Sequence, residues 1–305
     1  MKNKDALKIS LLAILFGVLL GVVILLLTGR DPFYLFYGLV RGASGLDLIK
    51  GGSINPRYIG EFIVASMPII LTGLSVAFAY RTGLFNIGAE GQLMVGACAS
   101  IATAVLFPQI PVVHMLVSVL AGILAGAMLA GALWGFVPGF LKAVCNVNEV
   151  IACIMMNYIG MYLANYVYVQ LPGSDTSRTA LIPESASLSN SFFESLTNHS
   201  RLNLGIFFVI LAVLAYWFII EKTSFGYGLR ATGFNKEGAR YAGMKVERNI
   251  VYSMMIAGAM AGLAGAIISL GTFNYGRVLS SFENYGFDGI AVALTGACNA
   301  IGVVL

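Results

Sequence analysis

The chain has 305 residues, of which 58% are hydrophobic and only 10% charged, with 36 glycines and a formal net charge of +4. So few charges cannot cover two soluble domains, where about a quarter of residues would be charged, and so apolar a chain is not disordered. A mean hydropathy of +0.86 and long apolar runs point to an all-α polytopic membrane protein. The small net charge gives no ground for a nucleic-acid partner. Cys98, Cys145, Cys153 and Cys298 form no C-x-x-C pair, and each sits in or beside an apolar run, so they read as buried free thiols. His114 and His199 lie far apart without metal-ligand spacing, so no metal site is expected.

The apolar windows give about eight membrane spans in a single transmembrane domain covering 1–305. They are 9–28, 60–80, 84–107, 112–137, 150–171, 203–221, 250–271 and 288–305. The first follows Lys2, Lys4 and Lys8 but is too long for a signal peptide and lacks a small-residue cleavage site, so it reads as an uncleaved span. With the N-terminus in the cytoplasm, eleven Lys and Arg fall inside and seven outside (Arg30, Arg41, Lys50, Arg57, Arg178, Arg201 and Arg277), which favours that orientation. Segments 29–59 and 172–202 then become extracytoplasmic loops. In the first, Asp31 and Pro32 can start a surface helix. Phe33, Phe36, Tyr37 and Val40 fall on one face of it, as in a helix lying in the membrane interface, with receptor docking as the alternative. The second loop is rich in Ser, Thr and Asn and reads as solvated.

Gly83-Leu-Phe-Asn-Ile-Gly-Ala-Glu-Gly-Gln92 is the most informative run. It stacks Asn86 and Glu90 one turn apart, and its glycines weaken helix by about 1 kcal/mol each. A carboxylate at a helix centre costs about 2.5–3.5 kcal/mol to insert. The run therefore reads as a broken or re-entrant helix shielded by protein or a cavity, or as an interfacial acid with the span starting at Gly91. Asn86, Glu90 and Gln92 are pathway candidates. Further on, Asn148 and Glu149 precede a helix carrying Asn157, Tyr158, Tyr162 and Asn165. These form a polar and aromatic stripe that could contact a ring-bearing solute or bond across helices. Gly122/Gly126, Gly131/Gly135 and Gly258/Gly262 are close-packing faces. In the charged cytoplasmic segment 222–249, Asn235 can cap a short helix over 236–242 that Gly243 stops. It reads as a lever for a partner or as a basic loop that fixes topology. Asn86–Ala97 and Tyr285–Gly296 each lead from glycine and an acid into an apolar helix, from opposite sides of the membrane. That is the arrangement of an inverted repeat.

The Gly83–Gln92 run resembles the signature of permease subunits from bacterial ABC importers for nucleosides of the guanosine or purine type. These sit within the larger group serving ribose-type sugars and branched-chain amino acids. Asn148-Glu-Val-Ile151, Met155-Met-Asn-Tyr158, Thr223-Ser-Phe-Gly-Tyr-Gly-Leu-Arg-Ala-Thr-Gly-Phe-Asn235, Ala239-Arg-Tyr-Ala-Gly243 and Gly286-Phe-Asp-Gly-Ile-Ala-Val-Ala-Leu294 fit the same family. The resemblance runs from about Phe62 onward. It implies the ABC importer permease fold in the bacterial cytoplasmic membrane, paired as a homodimer or with a second related permease. A cytoplasmic ABC ATPase that binds ATP and Mg would drive it, and an extracytoplasmic binding lipoprotein would feed it. It also places the ATPase contact at Asn235, Lys236, Arg240, Tyr241 and Gly243. Two departures stand out: Ala297 and Ala300 replace a usual basic residue and proline, and the chain stops at Leu305 inside an apolar run. A C-terminal truncation, with one or two further spans in relatives, is the expectation.

The leading expectation is thus a transport subunit without chemistry or cofactor of its own, since no G-x-x-x-x-G-K-[ST] phosphate loop occurs. The rivals are an ion-coupled secondary transporter using Glu90 or Glu149, a permease for a ribose-type sugar and, more distantly, a membrane-embedded enzyme.

Overall fold

The computed structural model describes residues 3–47, 49, 52–106 and 129–305 (of residues 3–11 and 13 only the backbone). In chain order its helices are α1 (Asn3–Leu27), α2 (Phe33–Ser44), α3 (Pro56–Arg81), α4 (Ala89–Leu106), α5 (Ala132–Cys145), α6 (Glu149–Gln170), α7 (Ser191–Leu196), α8 (Gly205–Trp217), α9 (Ser224–Phe234), α10 (Lys236–Tyr241), α11 (Val246–Ile267), α12 (Tyr285–Thr295) and α13 (Ala300–Val304). Wide π-turns prolong α8 to Lys222 and α11 to Phe273. Among the described residues, Pro56–Arg81, Ala89–Leu106, Glu149–Gln170, Gly205–Lys222 and Val246–Phe273 are long and apolar enough to cross a membrane, and Ile14–Leu27 and Leu129–Cys145 are shorter apolar helices. Most of the span expected over 112–137, with His114 and the Gly122/Gly126 pair, lies outside the described residues.

Glycine faces bring the centre together. A Cβ on Gly131 would strike the Gly258 carbonyl, one on Gly258 the Gly131 carbonyl, and one on Gly135 the Met254 carbonyl. So the two glycine pairs read from the sequence pack on each other, α5 against α11. Further along the same face of α11, a Cβ on Gly265 would strike the Leu93 carbonyl of α4. Such close approach lets dispersion forces and weak Cα–H···O contacts hold helices that gain nothing from expelling water.

The expected last span, 288–305, is not one helix. It divides at 296–299, where Ala297 and Cys298 take left-handed φ of 53° and 51°. The chain then turns back, so that Gly302 lies against Gly296 and Val303 against Gly73. The loop expected over 172–202 is likewise not simply solvated. Its backbone pairs with the end of the α11 segment, Thr179 N–H to Gly276 O, Ile182 to Asn274 and Leu188 to Leu270, each at 2.9 Å. Ile182, Ala186 and Leu188 are buried beneath it. At its start Asp175 accepts from the Ser177 N–H and hydroxyl and from the Arg178 N–H, which holds its carboxyl below the usual range.

The surface helix forms as its sequence suggests. Asp31 accepts from the Phe33 N–H at 2.9 Å, and α2 ends at Gly45 in the left-handed region. No residue of α2 is buried. A short antiparallel pair, β1 (Leu46–Asp47) with β2 (Ser53–Ile54), follows. Cys98, Cys153 and Cys298 are buried thiols, but Cys145, at the exposed end of α5, is not.

The glycine interface yields a test. Gly258→Leu should destabilise the purified protein by about 1–3 kcal/mol, the usual cost of overpacking. Gly17→Leu, at a position with nothing within 4 Å, should leave the midpoint unchanged. Thermal unfolding in detergent compares the two.

Candidate functional site

The chain leaves α3 at Arg81, and Gly83, with φ of 75°, turns it back into the protein. Residues 84–88 are not helical, yet Leu84, Asn86 and Gly88 are buried. This is the re-entrant stretch that the glycines suggest. Asn86 holds it: its Nδ2 donates to Ser75 Oγ at 3.0 Å and to Gln92 Oε1 at 2.9 Å, and its Oδ1 accepts from the Gly88 N–H at 3.1 Å. From α6, Asn157 accepts from the Gly91 N–H at 2.8 Å and donates to the Ile87 carbonyl at 3.0 Å. Each amide bonds backbone that has no helical partner.

A second stretch, 274–284, descends from the Pro56 end of α3. Asn165 clamps it, donating to the Leu279 carbonyl at 2.8 Å and accepting from the Leu279 N–H at 2.9 Å. It ends at α12, beside the middle of α3, where the Thr72 hydroxyl donates to the Tyr285 carbonyl at 2.8 Å. Helix α12 then runs towards the Arg81 end of α3, with Gly289 packed on Thr72.

Glu90 joins the two stretches. Its Oε1 accepts from the Glu283 and Asn284 N–H groups at 3.0 and 2.9 Å, and its Oε2 from the Gly286 N–H at 2.6 Å. The residue is fully buried. A carboxylate on the first turn of α4 thus caps the N-terminus of α12, satisfying orphan donors and the positive end of the helix dipole. The two helices start at the same depth and leave it in opposite directions, in keeping with the inverted arrangement of their sequences.

The expected pathway residues therefore divide. Asn86, Glu90, Gln92 and Asn157 form one buried, bonded core. Asn148 is an N-cap, accepting from the Val150 N–H at 2.9 Å. Glu149 pairs with Lys142 at 2.9 Å and lines a cavity of about 650 Å³ at the Arg81 end, with Tyr80, Phe85 and Arg230. Tyr158 does not share a face with Asn157. It is 48% exposed and packs on Phe282, ring centroids 4.8 Å apart. The stripe expected on α6 is thus two faces, amides inward and Tyr158, Tyr162 and Tyr166 outward. The outward face continues onto α12. There Asp288, Ala291 and Thr295, at i, i+3 and i+7, are all exposed, as is Asn284 just before the helix. The sequence held that signal, a polar series inside an apolar segment, but the repeat reading used only its glycines and acid.

The expected lever segment forms as read. Asn235 accepts from the Gly238 N–H at 2.9 Å, α10 covers Lys236–Tyr241, and Gly243 follows with φ of 78°. Arg240 pairs with Glu237 and Glu247. Tyr241 is 97% and Phe234 91% exposed. The preceding α9, unforeseen, is capped by Thr223.

The profile of the family described as branched-chain amino acid transport system / permease component matches residues 58–305. Among curated proteins, the chain is 46% identical over 304 residues to the guanosine ABC transporter permease protein NupP of Bacillus subtilis, covering 100% of this chain and 83% of that protein. It is 36% identical over 302 residues to the nucleoside ABC transporter permease protein NupB of Lactococcus lactis, covering 97% and 79%. It is 32% identical over 259 residues to the glucose ABC transporter permease protein TsgB13 of Haloferax volcanii, covering 80% and 65%. No solved structure matches.

The amide assignment can be checked directly. Asn157→Leu strips a partner from the Gly91 N–H and the Ile87 carbonyl, at about 1–3 kcal/mol for each buried group. Tyr158→Leu touches neither. Detergent-solubilised Asn157→Leu should therefore unfold at a clearly lower temperature than Tyr158→Leu.

Proposed function

The chain belongs to the permease-component family of branched-chain amino acid transport systems, and from that membership we propose that it is the membrane subunit of an ATP-driven importer of nucleosides. The observation that carries the substrate is the 46% identity, along the whole chain, to a permease that serves guanosine. In this reading a binding lipoprotein delivers the nucleoside at the Pro56 end of α3. A second permease, related or identical, completes the pathway, and an ABC ATPase with its ATP and Mg docks at the Arg81 end, which is cytoplasmic. The geometry suits that division of labour. A half-helix starts at mid-depth beside an open aromatic face, and the most exposed aromatic side chains of the basic segment, Phe234 and Tyr241, stand free at the Arg81 end.

The glucose-permease relative at 32% identity supports a sugar as the second reading. Ion-coupled secondary transport finds less support. Its candidate carboxylates are already engaged, Glu90 by three backbone N–H groups and Glu149 by Lys142.

Uptake of labelled guanosine and glucose by cells expressing the complete complex tests the substrate; glucose uptake alone would leave the sugar reading. Tyr241→Ala with Phe234→Ala should cut ATPase co-purification or transport per ATP by about tenfold, as loss of an interface anchor does. Unchanged values for both would remove α9 and α10 from the coupling role. For orientation, a cysteine replacing Ser187 should react with an impermeant thiol reagent on intact cells, and one replacing Lys236 only after the membrane is opened.

A further inference from the structure

Among the described residues Asp288 stands apart from the other acids at membrane depth. It lies on the first turn of α12, one turn beyond Tyr285, whose carbonyl bonds Thr72 in the middle of α3. That places it well inside the apolar thickness. Glu90 at the same depth is fully buried and capped by backbone. Glu283 is paired with Arg277 at 2.5 Å. The side chain of Asp288 is exposed, and no described residue gives it a hydrogen bond or ion pair. A bare carboxylate is not left against lipid, so this face meets water, solute or another subunit.

Its surroundings identify the chemistry. Asn284, also exposed, immediately precedes the helix, and its carbonyl accepts from the Asp288 N–H at 2.8 Å. Phe287 packs edge-on against Phe282, centroids 5.9 Å apart, and Phe282 packs on the exposed Tyr158. The start of α12 therefore offers an acceptor-only carboxylate and an amide, and Phe287, next to Asp288 in sequence, joins them to the ring cluster of Phe282 and Tyr158. The nearby cation Arg277 is neutralised by Glu283, so phosphate and carboxylate groups find no partner. Vicinal hydroxyls do, because both can donate to one carboxylate, while a flat heterocycle suits the rings.

We propose that Asp288 and Asn284 form a ribose-recognition site on the outward face of α12, the carboxylate accepting from the 2′- and 3′-hydroxyls while the base lies against Tyr158 and Phe282. This deepens the nucleoside reading and rests on it. The site discriminates neutral ribonucleosides from nucleotides and from sugar-modified analogues, independently of selection by the binding protein.

The experiment compares uptake of guanosine and 2′,3′-dideoxyguanosine by the complete importer in proteoliposomes, with wild-type chain and with D288N, D288E and N284A. D288N should lower guanosine uptake by about tenfold or more, the effect of losing a charged hydrogen-bond acceptor, and should change dideoxyguanosine uptake much less. D288E, which keeps the charge, should recover most of the preference for guanosine, and N284A should show a weaker version of the D288N effect. ATPase co-purification should be unchanged in all three. A wild-type preference for guanosine that survives intact in D288N and N284A overturns the assignment while leaving nucleoside import standing. Loss of the second permease from the purified complex in D288N assigns the carboxylate to subunit pairing and likewise overturns it. A wild-type importer that carries glucose and no nucleoside removes the nucleoside reading and this site together.

Discussion

Backbone that is not helical cannot bond to water at the depth of a bilayer, so something else must satisfy it. The rest of this structure depends on how that is done for residues 83–88 and 274–284. Asn86, Asn157 and Asn165 each bond a peptide group outside regular helix, at Gly88, Ile87 and Leu279. Glu90 does the same for three peptides at once and in doing so ties the two stretches together. Neither half would hold its shape alone. The α4 start needs Asn157 from α6, and the α12 start needs Glu90 from α4 and Thr72 from α3. The buried polar residues that look like a solute pathway are, by their bonding, what makes an interrupted membrane helix tolerable.

That distinction explains what could be read from the sequence. Local devices were legible. Gly83 and Gly88 around Asn86 announce broken helix, Asn235 and Gly243 delimit α10, and the paired glycines of α5 and α11 announce close packing, because each acts within a few residues of itself. Partners across the fold were not. Glu90 finds its donors at 283–286, and adjacent residues on a helix point about 100° apart, so Asn157 and Tyr158 could not be assigned to inner and outer faces from composition. Loop 172–202 looked solvated because its few apolar anchors, Ile182, Ala186 and Leu188, follow no period. The break at 296–299 was hidden for a different reason: Ala297 and Cys298 take left-handed conformations that neither residue advertises.

The same bonding separates structure from pathway. A polar group with all its partners supplied by protein has nothing left for a solute. One that is open at membrane depth must meet something that the chain does not provide. By that criterion the inner amides belong to the scaffold. The outward rings of α6 and the exposed residues Asn284, Asp288 and Thr295 are the groups that the described chain leaves open at that depth.

The scaffold also links that face to the end where an ATPase would dock. Helix α10 is held to α11 by Arg240 and Glu247, and α9 by Asn249, which donates to Thr232 Oγ1 at 2.9 Å. Arg230 of α9 shares Glu221 with Arg81 of α3. At the end of α9, a Cβ on Gly233 would lie 2.9 Å from the Gly83 nitrogen, so the backbone of α9 rests directly on the first residues of the re-entrant stretch. Packed protein transmits displacement because it has little void to absorb it. A shift of α9 and α10 cannot leave Gly83 in place, and Gly83 leads within seven residues to Glu90, which holds the N-terminus of α12. The carboxylate that makes the broken helix stable therefore also makes its position answerable to the far end of the molecule.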